Sequence, residues 1–293
     1  MRITHLQMTR QAIDYMSDSL YKLGEANWRA ADGKKFHKPS DDPTAMASSL
    51  NIRSAIRTNE AYLDTAFSTS EWMTVTEHAL MEVVEVSTLA QNKVLAGVSD
   101  TSGAAERQSY AVELTGLIDQ LVETANTKLR DKYIFAGFAT STEPYSITTG
   151  TPDTLAFAGN NGIIYRNIAP GQTVQVNVEA ETEFTALFDA LVTARDELLA
   201  NNQPGIQASV ALIANALDGI NTLRTENGAR SRQVDMSMER IEKTQAEMKL
   251  LLSNREDVNM AEAISELKFQ EVVHQQSYTY LEALKVDLER PYM

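Results

Sequence analysis

Apolar residues at heptad spacing occur at both ends of the chain, and this pattern constrains the fold more than any other feature. Near the start, the repeated positions are Leu6, Ile13, Met16, Leu20 and Leu23. Such a stripe predicts an amphipathic helix that buries one narrow face. Ordering a backbone residue costs about 1–2 kcal/mol, and an apolar side chain returns about 1.5–3 kcal/mol only when a partner covers it. This segment therefore needs another helix.

The other end of the chain has a matching stripe. A final helix is predicted over about residues 260–288, and its apolar positions are Ile264, Leu267, Tyr278, Leu281 and Leu288. Pairing the two terminal helices is the economical way to cover both stripes. We therefore expect the two stripes to form an assembly seam that brings the ends of the chain together.

Between the ends, helical periodicity is interrupted at a few places. Glycines and a basic composition break the pattern over residues 24–38, and helices are predicted from Pro43 to about residue 96 and over about 104–130. Helical periodicity resumes at about residue 184 and, after a break at 201–205, continues to about residue 253.

Residues 138–185 have a different character, because they are rich in Thr, Gly, Pro, Asn and Val. The sequence GNNG at 159–162 is typical of a hairpin turn, and alternating valines follow it. We predict a small β-rich insertion here. An apolar run directly precedes this insertion, and the residues at the entry are Tyr133, Ile134, Phe135 and Gly137.

The predicted fold is therefore mainly α, an elongated rod of paired N- and C-terminal coiled-coil helices with a small β-rich inserted domain. We predict three parts. Residues 1–42 and 257–293 form a terminal helical domain, residues 43–137 and 186–256 form a helical rod domain, and residues 138–185 form the β-rich domain.

The composition excludes several classes of function. The net charge is −14, from 26 basic and 40 acidic residues, which disfavours general nucleic-acid binding because that requires a basic surface. The chain has no cysteine, so disulfides and thiolate chemistry are excluded. No apolar run has the length of a membrane span, and the N-terminal residues lack the apolar core of a secretory signal peptide.

No motif for catalysis or ligand binding is present either. The four histidines are scattered, and no HExxH, GxGxxG, Walker or GxSxG sequence occurs. We therefore predict a protein that is not an enzyme, with no catalytic residue, no cofactor and no metal site.

The stretch KKFHKPSDDPT, residues 34–44, contains a pair of adjacent carboxylates that suggests chemistry. The pair could be a catalytic or metal-binding site, or it could begin a helix. Asp is favoured at a helix N-cap and Pro at the first helical position, so Asp42 and Pro43 favour the second interpretation. The predicted interdomain loop and helix cap comprise Lys34, Lys35, Lys38, Ser40, Asp41, Asp42 and Pro43, and the lysines are solvated or contact a neighbouring subunit.

Several motifs resemble the flagellin-like family of bacterial flagellar subunits. They are MRIT at the start, DGKKFHKPSDDPTAMASSL at 32–50, DKYIFAGFATSTEPY at 131–145, and the C-terminal stretch from NGARSRQVD to HQQSYTYL. The resemblance covers both helical ends. Asp32 and Lys132 depart from the family pattern, which usually has Ser and Gly there, and so does the final DLERPYM.

The resemblance implies a structural subunit at the junction between the flagellar hook and the filament, needed for filament assembly and motility. Its terminal helices would form an inner tube with further copies, and it would join the first hook-associated protein to flagellin. It would be exported to the flagellum by the type III apparatus without signal cleavage, and a cytosolic chaperone would bind its C-terminal helix. Flagellin itself and, from another class, a cytosolic coiled-coil scaffold remain alternatives.

Overall fold

The structure, a computed structural model, describes the backbone of residues 2–99 and 102–289 and the side chains of residues 7–99 and 102–283. Helices make up most of the described chain, and they are Arg2–Asp32 (α1), Pro43–Val98 (α2), Ala104–Ala125 (α3), Glu181–Leu199 (α4), Gln203–Glu256 (α5) and Met260–Glu289 (α6). The chain divides into two compact units, Met1–Thr58 with Thr244–Met293 and Asn59–Lys243. We call them the terminal unit and the central unit. The predicted three-part division stays a prediction.

In the terminal unit, α1 packs antiparallel against α6. The predicted break over residues 24–38 is wrong at its beginning, because α1 continues through Gly24 to Asp32. A side chain at Gly24 would meet no neighbour within 4 Å, so this glycine is a tolerated surface position of the helix. The helix ends where Gly33 adopts a φ of 68°, a left-handed conformation that glycine adopts without strain.

In the central unit, the apolar faces of four helical segments from α2, α3, α4 and α5 share one core. Large side chains with no exposed surface fill it, among them Leu80, Leu114, Leu187, Leu191 and Ile213. Each such side chain contributes about 1.5–3 kcal/mol when it is fully buried. These residues lie in segments that the sequence predicts to be helical, so this part of the fold follows from the hydrophobic period.

A buried arginine joins two connections of the central unit, the one between α2 and α3 and the one between α4 and α5. Arg107, at the start of α3, donates from Nε to the Gly97 carbonyl (2.9 Å) at the end of α2 and from Nη1 to Asn201 Oδ1 (2.6 Å) in the α4–α5 turn. Its side chain therefore satisfies groups that the helix ends leave unpaired. At its other end, α3 stops at Ala125, several residues before the predicted limit near 130.

Short strands fill the region between α3 and α4, and they are Lys128–Leu129 (β1), Lys132–Tyr133 (β2), Tyr145–Thr148 (β3), Thr154–Phe157 (β4), Tyr165–Ala169 (β5) and Gln172–Gln175 (β6). They pair antiparallel as β1–β2, β3–β4 and β5–β6. The prediction of a small β-rich region between helices is confirmed. The GNNG hairpin is wrong, because residues 159–162 connect β4 to β5, which do not pair.

None of the helices in the described residues combines the length and the apolar character needed to cross a bilayer.

Candidate functional site

The seam between α1 and α6 is lined by small and polar residues together with half-buried apolar ones. On α1, the buried positions are Ala12, Ser19 and Ala26, and Met16 and Leu23 are half-buried between them. On α6, Ala263 is buried, and half-buried positions follow it with the same three- and four-residue alternation at Leu267, Gln270, His274, Ser277 and Leu281. Small side chains let two helices approach closely, but they return little free energy of burial.

A cluster of hydroxyl and imidazole groups connects the two helices in the middle of this seam. Ser19 Oγ lies 3.0 Å from His274 Nδ1 and 3.1 Å from Ser277 Oγ. The Ser19 hydroxyl also reaches the Met16 carbonyl (2.9 Å), and the Ser277 hydroxyl donates to the carbonyl of His274 (2.8 Å). Buried polar groups at seam positions fix the register of two helices at some cost in stability.

The predicted seam residues divide into two groups. Met16, Leu23, Leu267 and Leu281 lie half-buried in the α1–α6 seam. The other members with described side chains lie outside it, with exposed fractions of 44–55%, and they are Ile13, Leu20, Ile264 and Tyr278. Leu6 and Leu288 carry side chains that fall outside the described residues.

The second group lies outside the seam because the residues that face the partner helix are one position earlier in each helix. On α1 these residues are Ala12, Ser19 and Ala26, and the first two directly precede Ile13 and Leu20. On α6 the corresponding column likewise precedes Ile264 and Tyr278 by one position. The small residues thus face the partner helix, and the four exposed apolar residues of the predicted set form a stripe beside the seam. Whether that stripe is an assembly surface stays a prediction.

The loop after α1 is held to the segment between α5 and α6 by backbone hydrogen bonds. The Lys35 N–H donates to the carbonyl of Glu256 (2.6 Å), and the Val258 N–H donates to the carbonyl of Gly33 (2.9 Å). Lys34 and Asp257 form an isolated antiparallel bridge at the same place. These bonds fix where the basic loop leaves the helix pair.

An ionic cluster lies beside this bridge, and its centre is the carboxylate of Glu256. Arg53 binds this carboxylate with two hydrogen bonds, from Nε to Oε1 (3.0 Å) and from Nη2 to Oε2 (2.6 Å). Lys34 Nζ contacts both Glu256 (3.3 Å) and Asp257 (2.5 Å). The Glu256 side chain is only 6% exposed, so these partners compensate for its burial. The hydrogen bonds from Arg53 and Lys34 hold the pKa of Glu256 below its ordinary value.

Removing this carboxylate is expected to weaken the terminal unit in a pH-dependent way. A carboxyl whose pKa is lowered on folding stabilises the fold above its ordinary pKa of 4.5, and that stability is lost as the pH falls through the lowered folded value. We expect Glu256→Gln to cost about 1–3 kcal/mol at neutral pH and to reduce the loss of stability on acidification. Urea unfolding of the chain at several pH values measures both effects.

The exposed Glu271 on α6 offers a matched control. Glu271→Gln should leave the pH dependence of unfolding as it is in the parent chain. An acid dependence that is equally steep with Glu256→Gln would contradict a stabilising role for the ionic cluster.

The two adjacent aspartates face different partners. Asp41 Oδ2 accepts hydrogen bonds from the backbone N–H groups of His37 (3.0 Å) and Lys38 (2.9 Å) and so closes the loop. Asp42 Oδ1 accepts from the N–H groups of Thr44 (3.1 Å) and Ala45 (2.9 Å) at the start of α2, the geometry of an N-cap. Hydrogen bonding to backbone N–H groups lowers the pKa of both carboxyls.

The remaining loop residues differ in how they are engaged. Lys34 is part of the ionic cluster, and Lys35 Nζ donates to the carbonyl of Asn254 (2.7 Å). Lys38 is exposed, Ser40 Oγ donates weakly to Asp41 Oδ1 (3.4 Å), and Pro43 is the first residue of α2. In the described part of the chain, no three His, Asp or Glu side chains come together as metal ligands.

The start of the β-rich region is hydrogen-bonded to the GNNG segment. Tyr133, Ile134 and Phe135 are buried, and Gly137 has a φ of 62°. Asn160 Oδ1 accepts hydrogen bonds from the N–H groups of Phe138 (2.8 Å) and Gly162 (3.0 Å), and the Asn160 N–H donates to the carbonyl of Ala136 (3.2 Å). The apolar run and the GNNG segment therefore form one structural feature.

Sequence reasoning missed the residues that hold these sites together. Arg53 and Glu256 are about 200 positions apart and carry no motif. Ser19 interrupts an apolar pattern and therefore looks like a weak seam position. The one available signal was the acidic pair Glu256–Asp257, which directly precedes a predicted helix start and could have been matched with the lysine loop.

Comparison with known proteins identifies the class. Residues 3–140 match the bacterial flagellin N-terminal helical region, and residues 210–286 match the bacterial flagellin C-terminal helical region. The first stretch includes α1, α2, α3, β1 and β2, and the second includes most of α5 and α6. The chain belongs to the bacterial flagellin family, whose members are structural proteins of the flagellum.

Within this family, the chain is similar to one particular kind of protein. It is 26% identical over 306 residues, 95% of each chain, to flagellar hook-associated protein 3 of Salmonella typhimurium. Its fold is similar to a putative flagellar hook-associated protein from Vibrio parahaemolyticus, with a TM-score of 0.68 and 19% identity over 74% of this chain and 100% of the other. The fold is also similar to that of the flagellar junction protein FlgL from Legionella pneumophila. The TM-score is 0.58 and the sequence identity is 14%, over 73% of this chain and 100% of the other.

Proposed function

We propose that the chain is a structural subunit of the bacterial flagellum at the hook–filament junction. It joins the first hook-associated protein to the flagellin filament, and filament assembly and motility depend on it. The similarity to flagellar hook-associated protein 3 along 95% of both chains supports this proposal. The role is mechanical, and the chain acts without catalysis.

The observation that carries the proposal is the apolar stripe beside the α1–α6 seam. The helix pair already covers its own small seam residues, yet it leaves Ile13, Leu20, Ile264 and Tyr278 about half exposed. Exposed apolar residues that recur along one side of a helix pair are typical of an interaction surface. Further copies of the chain, arranged as a ring or tube, cover such a stripe by repeating one contact.

The other partners follow from the same assignment. A cytosolic export chaperone binds α6 before export, and it covers the apolar residues that are later covered in the assembly. The chain then passes through the flagellar type III apparatus without cleavage of a signal peptide and functions in the extracellular flagellum.

Deletion of the gene tests the junction role directly. Cells without the chain are expected to carry hooks without filaments and to release flagellin into the medium, because filament growth lacks its starting surface. Electron microscopy of the cells and immunoblotting of the medium measure both effects, and re-expression of the parent chain is the control. Filaments of normal length and number in the deletion strain would rule out the junction role.

The alternative role of filament subunit makes a different prediction. A flagellin would be the major protein of sheared filaments, whereas a junction subunit is a minor component with flagellin in large excess. Quantitative mass spectrometry of sheared appendages separates the two roles.

A further inference from the structure

Helix α6 has exposed apolar residues on the side that faces away from α1. Phe269, Val272 and Tyr280 are 61%, 53% and 58% exposed, and the exposed Gln276 lies between the last two. Successive members of this set are three or four residues apart, so they share one side of the helix. Seam residues such as His274 lie on another side. We call the four residues the α6 outer face.

The α6 outer face is separate from the apolar stripe beside the seam. At 3.6 residues per turn, its centre lies more than about 100° around the helix from Ile264 and Tyr278. The terminal unit therefore has two distinct apolar surfaces, and a helix with apolar residues on several sides is typically covered on all of them. Pairing of the stripe with an identical stripe leaves the α6 outer face uncovered, whereas a head-to-tail contact between unlike surfaces covers both.

The α1 half of the stripe matches the α6 outer face in length. Its exposed members, which we call the α1 outer face, are Ile13, Ser17, Leu20 and Gly24. They recur at intervals of four, three and four residues. Both outer faces extend over eleven residue steps, which is about 16 Å along each helix at 1.5 Å per residue.

The direction of the helices fixes how the two faces align. Copies that are related by rotation about a tube axis run in the same direction, so a neighbour's α1 lies antiparallel to α6, as the chain's own α1 does. This orientation places Ile13 opposite Tyr280 and Gly24 opposite Phe269. We propose that the α1 outer face of one copy packs against the α6 outer face of the next, and this inference rests on the proposed assembly function.

Gly24 supports this alignment. A side chain at this position would meet no neighbour within 4 Å in the single chain, and a glycine inside a helix is less stable than an alanine. The described chain thus contains no packing reason for the glycine. Opposite the Phe269 ring of a second copy, the missing side chain provides the space that a large side chain needs between two closely packed helices.

The charges of the two surfaces are complementary. Up to Lys38 the chain has seven basic and four acidic residues, whereas α6 has six acidic residues and two lysines. Lys38 lines the same cleft as Gly24, and Glu262 and Glu266 are exposed one to two turns before Phe269. The antiparallel alignment therefore brings these carboxylates toward the Lys38 ammonium group of the neighbouring copy.

Engineered cysteines test the contact in assembled flagella, because the chain has no cysteine of its own. Ser17 and Gln276 are exposed and lie opposite each other in this alignment. A disulfide requires Cα atoms within about 7 Å of each other. We expect the double variant Ser17→Cys, Gln276→Cys to form a ladder of disulfide-linked dimers, trimers and larger species in oxidised hook–filament structures, because every copy carries both halves of the contact. Each single variant should remain monomeric.

The outcomes separate this contact from the proposed function. Absence of the ladder in hook–filament structures that contain the chain contradicts the contact alone. Dimers of the Ser17→Cys single variant also contradict it, since they show two α1 outer faces paired with each other. Absence of the parent chain from purified hook–filament structures contradicts the proposed function and this contact with it.

An exchange of side-chain size tests the pairing of Gly24 with Phe269. Gly24→Leu should weaken retention of the chain in purified hook–filament structures by about 10-fold or more, because the added side chain overpacks the contact. Phe269→Ala in the same chain should restore most of that retention, since the two positions are coupled only if they touch. Retention that is no better in the double variant than with Gly24→Leu alone would overturn the pairing.

Two controls exclude other causes of the loss. Gln11→Leu adds a large apolar side chain at an exposed position on another side of α1 and should leave retention unchanged. In the free chain, Gly24→Leu should leave the unfolding midpoint unchanged or raise it, because the position is open and leucine favours the helix more than glycine does. An equal loss of retention with Gln11→Leu would contradict the assignment to the α1 outer face.

Discussion

Gly137→Ala is expected to lower the free energy of unfolding of the central unit by about 3 kcal/mol or more. Gly137 has a φ of 62°, where an alanine is strained. A Cβ at this position would also overlap the backbone oxygen of Asn160. Because backbone atoms cannot move aside as a flexible side chain can, the hydrogen bonds between residues 136–138 and 159–162 must break. Urea unfolding followed by the fluorescence of the buried Trp72 measures the loss.

Two other glycines separate the causes of this effect. Gly171 has a φ of 71° but open space around it, so Gly171→Ala should cost only about 1–2 kcal/mol from the backbone conformation. Gly116 lies within α3 with no neighbour within 4 Å, so Gly116→Ala should stabilise the chain by about 0.5–1 kcal/mol. If Gly137→Ala lowers the free energy of unfolding by no more than Gly171→Ala, the contacts between residues 136–138 and 159–162 contribute no stability.

Replacing Ile13 and Leu20 together by aspartate is expected to abolish filament assembly and swimming while leaving the free chain folded. Both side chains are about half exposed and lie outside the α1–α6 seam, so the substitutions remove little buried area in the single chain. In an assembly that covers the stripe, each would bury an unpaired carboxylate, which is strongly unfavourable. Motility in soft agar, together with circular dichroism of the purified chain, measures both effects.

Two further variants separate a loss of assembly from the effects of added charge and of lowered stability. Gln11→Asp, at an exposed polar position of α1, should assemble normally and controls for added charge. Leu281→Asp places a charge in the half-buried seam and should therefore lower the stability of the helix pair as well as assembly. Normal swimming of the Ile13→Asp, Leu20→Asp variant would mean that the stripe is not an assembly surface.

The helices could be predicted because their signals are local. The periodic spacing of apolar residues and the Asp42–Pro43 pair locate the start of α2 from sequence alone. The same local reasoning could not choose between neighbouring columns of a heptad pattern. Apolar content favours Ile13 and Leu20 for the seam, but close approach of two helices favours Ala12 and Ser19, and this depends on a partner far away in sequence.

The β-rich region shows a second limit. GNNG is a strong hairpin signal when the residues on both sides pair, yet here the Asn160 side chain binds the backbone near Gly137 instead. That contact joins segments more than twenty residues apart, so no local window contains it. The ionic cluster of Arg53 and Glu256 was missed for the same reason.

The central claim is that this chain lies between the hook and the filament, and its position in intact flagella tests that claim most directly. Antibodies against the central unit, coupled to gold particles, can be imaged on purified hook–filament structures by electron microscopy. A single narrow band of label is expected where the hook meets the filament. Label along the whole filament would contradict it and would indicate a filament subunit.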